Sequence, residues 1–201
     1  MNVTIDSPGQ ANFFLLKFFI TMQQTMEKII SKPVYHWHAV YIKSRAEKKA
    51  QVELNEQGIE VFLPLQRKLR QWSDRKKWVE VPVISGYLFV RISRKEYDKV
   101  LQSNYVVAYV RFEGTAAIIP DQQIEYLKMM LKQDVHDVSV TTEKLEPGKE
   151  IEVVAGPMIG MKAVLVKIHG KNKVAIQLER IGIAALVEIP VTDIRLLPSS
   201  K

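Results

Sequence analysis

The stretch Val83-Ile-Ser-Gly-Tyr-Leu-Phe-Val-Arg-Ile92 decides how this chain folds. Its β-branched and aromatic residues predict a strand, and its poor alternation of apolar and polar positions predicts that both faces are covered, as in the middle of a sheet. Gly86 interrupts an otherwise continuous run. Inside a strand a glycine marks a bulge or a close backbone approach, which would re-aim Tyr87 and Phe89 on one face. The pattern alone leaves two readings open: a core strand, or a strand whose Tyr87 and Phe89 form an apolar surface for a partner helix.

Upstream, Tyr35 to Lys43 predicts a strand with Trp37, Ala39 and Tyr41 on one face and His38, Val40 and Ile42 on the other. Ser44-Arg-Ala-Glu47 has the spacing of a capping box. Ala46, Ala50 and Leu54 follow at helical spacing, with Gly58 as a left-handed stop. Ile59 to Leu63 is a second strand, ended by Pro64. Gln66 to Trp78 carries six basic residues and one acidic residue around a short Ser73-Asp74 centre, the pattern of a hairpin tip or loop. Downstream, a second capping box, Ser93-Arg-Lys-Glu96, opens a short helix to about Leu101. Val106 to Phe112 is a strand closed by Glu113-Gly114, and a helix begins near Asp121 with Ile124, Leu127 and Leu131 on its buried face. The order of elements is that of an α+β, ferredoxin-like split βαβ sandwich with an added hairpin and a terminal helix.

From Gln133 to Glu146 the apolar periodicity fades, so residues 133–146 read as a linker between a first domain, 35–132, and a second, 147–198. The second has short β-rich runs at Glu150 to Val154, Lys162 to Lys167, Val174 to Leu178, Leu186 to Pro190 and Asp193 to Leu197, most of them bounded by glycines. Closely spaced strands in about fifty residues suit a small SH3-like β-barrel. Residues 1–34 read as a poorly ordered or weakly helical extension. Their apolar run, Phe13 to Ile20, is too short to span a bilayer and lacks the flanks of a signal peptide.

Charge is placed unevenly. The net charge is +7, and His36 to Phe112 holds fifteen Lys and Arg against eight Asp and Glu, which accounts for the whole excess. A basic domain tied to a nearly neutral one points to a polyanionic partner, nucleic acid above all. Within Gln66 to Trp78, indoles able to stack on unpaired bases are interleaved with cations able to hold phosphates, which singles out Arg75, Lys76 and Lys77. The chain has no cysteine, which excludes disulfides, thiolate zinc sites and cysteine nucleophiles and agrees with a cytoplasmic setting. The four histidines are scattered without metal-ligand spacing, and Gly156 to Lys162 lacks the spacing of a phosphate loop. With no serine elbow, carboxylate pair or dinucleotide fingerprint, the sequence points to binding rather than to catalysis, with no cofactor or metal.

Three pieces carry a family resemblance: Trp37-His-Ala-Val-Tyr41, Pro82 to Val90, and Val110 to Pro120. They resemble the N-terminal (NGN) domain of NusG-type transcription elongation factors, closest to the specialised RfaH and UpxY antiterminators. Gly148, Ile151, Val153, Gly156-Pro157, Gly160 and Val164 are similar to a KOW module, so the likeness runs from about Tyr35 to Leu197. It implies a monomeric factor whose Tyr41, Ile84, Tyr87 and Phe89 meet the clamp helices of RNA polymerase. It also implies that Lys43 and Lys49 face displaced non-template DNA, and that the KOW module engages a ribosomal protein or Rho. The function implied is antitermination in long operons, polysaccharide biosynthesis among them. The competing readings are a housekeeping elongation factor of the same fold and a general RNA-binding KOW protein. An RfaH-like helical state of the C-terminal module is a further implication, against which the alternating runs at Lys162 to Lys167 and Val174 to Leu178 favour strands.

Overall fold

The computed structural model describes residues 17–23, 33–72, 75–132, 137–143, 145, 148–168 and 171–198. The chain divides into two units, Met1–Val34 and Tyr35–Lys201. Of the first, residues 17–23 are helical. The rest of the expected extension, up to residue 32, lies outside the described residues.

The second unit begins with β1 (His36–Ile42), α1 (Glu47–Glu56) and β2 (Glu60–Phe62), then a ribbon of β3 (Leu65–Gln71) and β4 (Lys76–Pro82). Next come β5 (Tyr87–Ile92), α2 (Tyr97–Leu101), β6 (Val106–Tyr109), β7 (Arg111–Phe112), β8 (Thr115–Ala116), β9 (Ile118–Ile119) and α3 (Asp121–Leu131). The first sheet has the order β2-β5-β1-β6, with β9 beside β1. β5 runs antiparallel to both β1 and β2, so β1-α1-β2 is a βαβ unit split by the strand inserted between its halves.

The weak alternation of β5 has the expected cause. Leu88, Val90 and Ile92 face one way, into a cluster with Val40 and Ile42 of β1, Ala50 and Leu54 of α1 and Val100 of α2. Phe89 faces the other way, with Trp37 and Ala39, under Ile124, Leu127 and Met130 of α3. Met130 rather than Leu131 completes the buried stripe of α3, and Leu131 is half-buried at the margin. A step of three from Leu127 keeps Met130 on the inner face, whereas Leu131 falls at its edge.

Gly86 is not a bulge within the strand. It ends a turn at φ +78°, and β5 starts at the next residue. Its carbonyl accepts the Ile42 amide at 2.8 Å and its own amide donates to Glu47 Oε1 at 2.9 Å, which pins the turn to both β1 and α1. The glutamate of the first expected capping box is therefore buried and committed elsewhere. Arg45 takes a left-handed conformation and Ala46 becomes the N-cap, which leaves Ser44 too far upstream to reach the first-turn amides. The second box forms as expected: Glu96 Oε2 accepts the Ser93 amide at 2.8 Å and the Ser93 hydroxyl at 2.9 Å. Val106 to Phe112 is not one strand. It breaks at Val110, whose amide turns to the Ala39 carbonyl at 2.9 Å, and a tight turn through Glu113 and Gly114 joins β7 to β8.

The β-rich part contains β10 (Ser139–Thr141), β11 (Lys149–Val153), β12 (Lys162–Ile168), β13 (Lys171–Leu178), β14 (Ile183–Val187) and β15 (Ile194–Leu196). They form one antiparallel sheet in the order β10-β14-β13-β12-β11-β15. β10 lies within the segment expected as linker; its backbone pairs with the edge of β14, an interaction that apolar periodicity does not report. β14 starts earlier than the expected Leu186 because Gly182, in a left-handed conformation, turns the chain directly after the 3-10 turn Glu179–Ile181. Gly148 has a steric reason, since a Cβ there would collide with the Leu165 carbonyl. The buried cluster under α3 is continuous with that of the second sheet, where Ile151, Val153, Val174, Ile176 and Val187 point inward, and α3 packs against β13.

His38 is half-buried on β1, with its ring edge-on to Tyr109 at 5.9 Å. Burial lowers its pKa below the ordinary 6.5, and nearby His36 acts the same way; a backbone hydrogen bond with Ala117 opposes them. Because the unfolded chain takes up this proton first, the His38 contribution is complete above about pH 6.5 and is lost as pH falls towards the lowered native value. Urea midpoints are expected to fall between about pH 7.5 and 5.5, and His38→Gln to flatten that change. Gly86→Ala is expected to cost about 1 kcal/mol through its left-handed backbone, read as a lower urea midpoint with an unchanged slope.

Candidate protein and nucleic-acid interface

Tyr41 and Tyr87 are direct cross-strand partners where β1 and β5 meet the Gly86 turn. Their rings lie 5.0 Å apart, tilted by 59°. Burial, assisted by the neighbouring Tyr41 hydroxyl, pushes the Tyr87 hydroxyl up to about 12, so it stays a neutral phenol near neutral pH. Tyr41 is 40% exposed and Tyr87 half-buried, so the pair forms an aromatic ledge that is open to a partner.

Ile84 and Phe89 do not share that exposure. Ile84 is 2% exposed and Phe89 is fully buried, stacked on Phe62 at 6.0 Å and covered by α3. The reason is register: Phe89 lies two residues further along β5 than Tyr87, far enough to pass beneath the helix. Neither can be a contact residue in this conformation, and both act as the floor behind the ledge. The accessible apolar surface on this side is an open groove of about 460 Å³ beside Phe62, lined also by Leu63, Leu65, Met129 and Leu131. Lys128 crosses it, its ammonium 5.2 Å from the Trp37 ring and 5.6 Å from the Phe62 ring, with Glu125 Oε1 at 2.7 Å. Phe62 and Leu65 were not singled out by sequence reasoning; the signal was available in Ile59 to Leu65, whose apolar positions exceed what a three-residue edge strand hides.

Lys43 and Lys49 border one depression outside α1. Lys43 Nζ donates to the Asn104 carbonyl at 2.6 Å, and Asn104 lines that depression with Lys48, Lys49, Val52, Glu53 and Tyr105. Lys48 reaches Glu80 of β4 at 3.3 Å, tying α1 to the ribbon.

The ribbon pairs in full register from Leu65 opposite Pro82 to Gln71 opposite Lys76, and the Trp72 amide donates to the Arg75 carbonyl at 2.8 Å. At its root, the Val83 amide donates to the Pro64 carbonyl at 2.8 Å. Residues paired directly across an antiparallel ribbon share a face. One face therefore carries Arg67, Leu69, Lys76, Trp78 and Glu80, with Arg67 over the Trp78 ring at 5.6 Å. The other carries Lys68, Arg70, Trp72, Arg75 and Lys77. Arg75 and Lys77 thus lie together, and Lys76 lies on the opposite face. Residues 73 and 74, the centre of the expected tip, are outside the described residues. Among the described residues, no group of three or more His, Asp or Glu could hold a metal ion, and no helix is long and apolar enough to cross a membrane.

A split βαβ domain with an exposed aromatic ledge and a basic ribbon, followed by an antiparallel β-rich part, defines the chain as an α+β protein. The family model described as transcription termination factor nusG matches residues 35–128. Transcription elongation factor Spt5 of Acidianus ambivalens is 31% identical over 116 residues, which span 57% of this chain and 68% of that protein. The chain belongs to the NusG/Spt5 family of transcription elongation factors. Among solved structures, Thermotoga maritima NusG is 18% identical, covering 82% of this chain and 98% of that one with a TM-score of 0.45. The MjSpt4:Spt5 complex is also 18% identical, covering 82% and 99%, with a TM-score of 0.27.

The difference in burial between neighbouring aromatic residues can be measured. Phe89→Ala is expected to cost about 3–5 kcal/mol of folding stability, and Tyr41→Ala less than about 1 kcal/mol, by urea denaturation. Equal losses would mean that the ledge is part of the core.

Proposed function

We propose that this protein is a specialised NusG-type antiterminator that grips the clamp helices of RNA polymerase through Tyr41 and Tyr87, backed by the Phe62 groove. The observation that carries this reading is the Tyr41–Tyr87 pair, exposed at Tyr41 and half-buried at Tyr87, with an open groove at Phe62, whose ring stacks on the covered Phe89. An amphipathic helix binds by laying apolar side chains against such a surface, and aromatic residues at its centre carry most of the energy. In this reading residues 35–132 are the NGN domain and 147–198 the KOW domain, and the factor works as a monomer.

The mechanism is mechanical. A factor that binds the closed, elongating clamp more tightly than the opened, paused one shifts the population towards elongation and makes no covalent bond. Lys43 and Lys49, on a depression beside α1, are placed to hold displaced non-template DNA, which would restrict recruitment to particular long operons such as those for polysaccharide synthesis. The KOW domain is left to engage a ribosomal protein or Rho.

Capture of RNA polymerase by the full chain tests the grip. Tyr87→Ala is expected to weaken it by about 30-fold, the equivalent of about 2 kcal/mol, with folding retained. Undiminished capture would reject the ledge as the contact. Polymerase-bound occupancy along the chromosome tests the specialisation: residence on one or a few operons supports it, and residence on most transcribed genes assigns a general elongation role instead.

A further inference from the structure

The ribbon is asymmetric in a way that its sequence conceals. Read along the chain, its cations form two clusters; sorted by face, they separate four to two. Lys68, Arg70, Arg75 and Lys77 share one face with Trp72 and with no carboxylate among the described residues. Lys68 is partly neutralised by Asp137 at 3.1 Å, whereas Arg70, Arg75 and Lys77 make no ion pair among the described residues. The opposite face holds two cations and one carboxylate, Glu80, which is paired with Lys48. Its indole, Trp78, lies beneath Arg67 and opposite Leu69. Trp72 and Trp78 are equally open, at 58% and 56% exposed, so what separates them is the guanidinium over Trp78, which has no counterpart on Trp72 among the described residues.

We propose that the face built from Lys68, Arg70, Trp72, Arg75 and Lys77 is a track for single-stranded DNA, in which one base stacks on Trp72 while the cations hold the flanking phosphates. A single strand fits better than a duplex. A ribbon seated in a duplex groove meets phosphates on both sides and would carry similar charge on both faces, whereas this charge is one-sided. An exposed indole gains from an unpaired base, which offers its π-face without breaking a pair. DNA is the strand that the functional reading puts within reach, and beyond Gln66 at its root the described part of the face has no side-chain acceptor for a ribose hydroxyl. The inference rests on the reading of this chain as a factor that meets displaced DNA, and it assigns that contact to a second surface besides Lys43 and Lys49. It also replaces Lys76 by Arg70 in the contacting set.

The test uses the full chain and an oligothymidylate of about fifteen nucleotides. The oligonucleotide is expected to quench tryptophan emission in wild type and in Trp78→Phe but not in Trp72→Phe, because Trp37 is buried and silent. Between about 50 and 200 mM salt, Arg70→Ala/Lys77→Ala is expected to lower the slope of log K against log salt by about 1.4, and Arg67→Ala/Lys76→Ala to leave it unchanged. Circular dichroism confirms folding of each variant. Equal slope changes for the two pairs, or quenching lost only in Trp78→Phe, would overturn the one-sided track. A duplex bound as tightly as the single strand, or oligouridylate bound tenfold more tightly, would overturn its ligand. If wild type binds no oligonucleotide yet captures polymerase, the nucleic-acid part of the functional reading fails and this track with it, while the clamp contact stands.

Discussion

Everything in the first sheet depends on β5 having a hydrogen-bonded neighbour on each edge and a helix layer over each face. Between Tyr87 and Arg91, whose guanidinium reaches Glu60 and Asp121 at the far end of the strand, no enclosed position can take a polar side chain, because a buried unpaired polar group costs more than its packing returns. Leu88, Phe89 and Val90 accordingly are all buried. Enclosure is partial at Tyr87, the first residue of the strand, and the side chain there is aromatic with a polar tip. Tyr41 reaches the same boundary from β1. The ledge is therefore the place where the cover runs out, held in position by the same register that hides Phe89.

The turn at Gly86 keeps that boundary fixed. One backbone carbonyl accepts from β1 and one amide donates to a carboxylate of α1, so the start of β5 is located by elements on both sides of it. Glu47 is spent on this contact and not on its own helix terminus. The trade is local: α1 begins two residues late and has no side-chain cap, and the turn that supports the ledge gains a charge-assisted hydrogen bond.

Much of this was legible in the residues. Strand and helix positions followed from periodicity and from glycine and proline punctuation, and the split order followed from the elements. What could not be read were facts of three-dimensional pairing. Tyr87 and Phe89 look equivalent in the sequence, both aromatic and both on one face, and only their three-dimensional surroundings separate a half-buried ring from a hidden one. Ser44 and Glu47 have the right spacing for a cap, but a long-range amide competes for the carboxylate. Arg75, Lys76 and Lys77 are consecutive, yet a strand sends its middle member to the other side. The second capping box, with no distant competitor, formed as its spacing implied.

The ribbon is joined to the body at its root, through the bond from Val83 to Pro64, and by the exposed ion pairs Lys48–Glu80 and Lys68–Asp137, and of its residues only Leu65 contributes to the buried clusters of the first sheet. Its outer positions thus sit outside the constraints that hold the sandwich together. They are free to drift under selection while the scaffold stays put, much as the bit of a tool can be exchanged without remaking the handle.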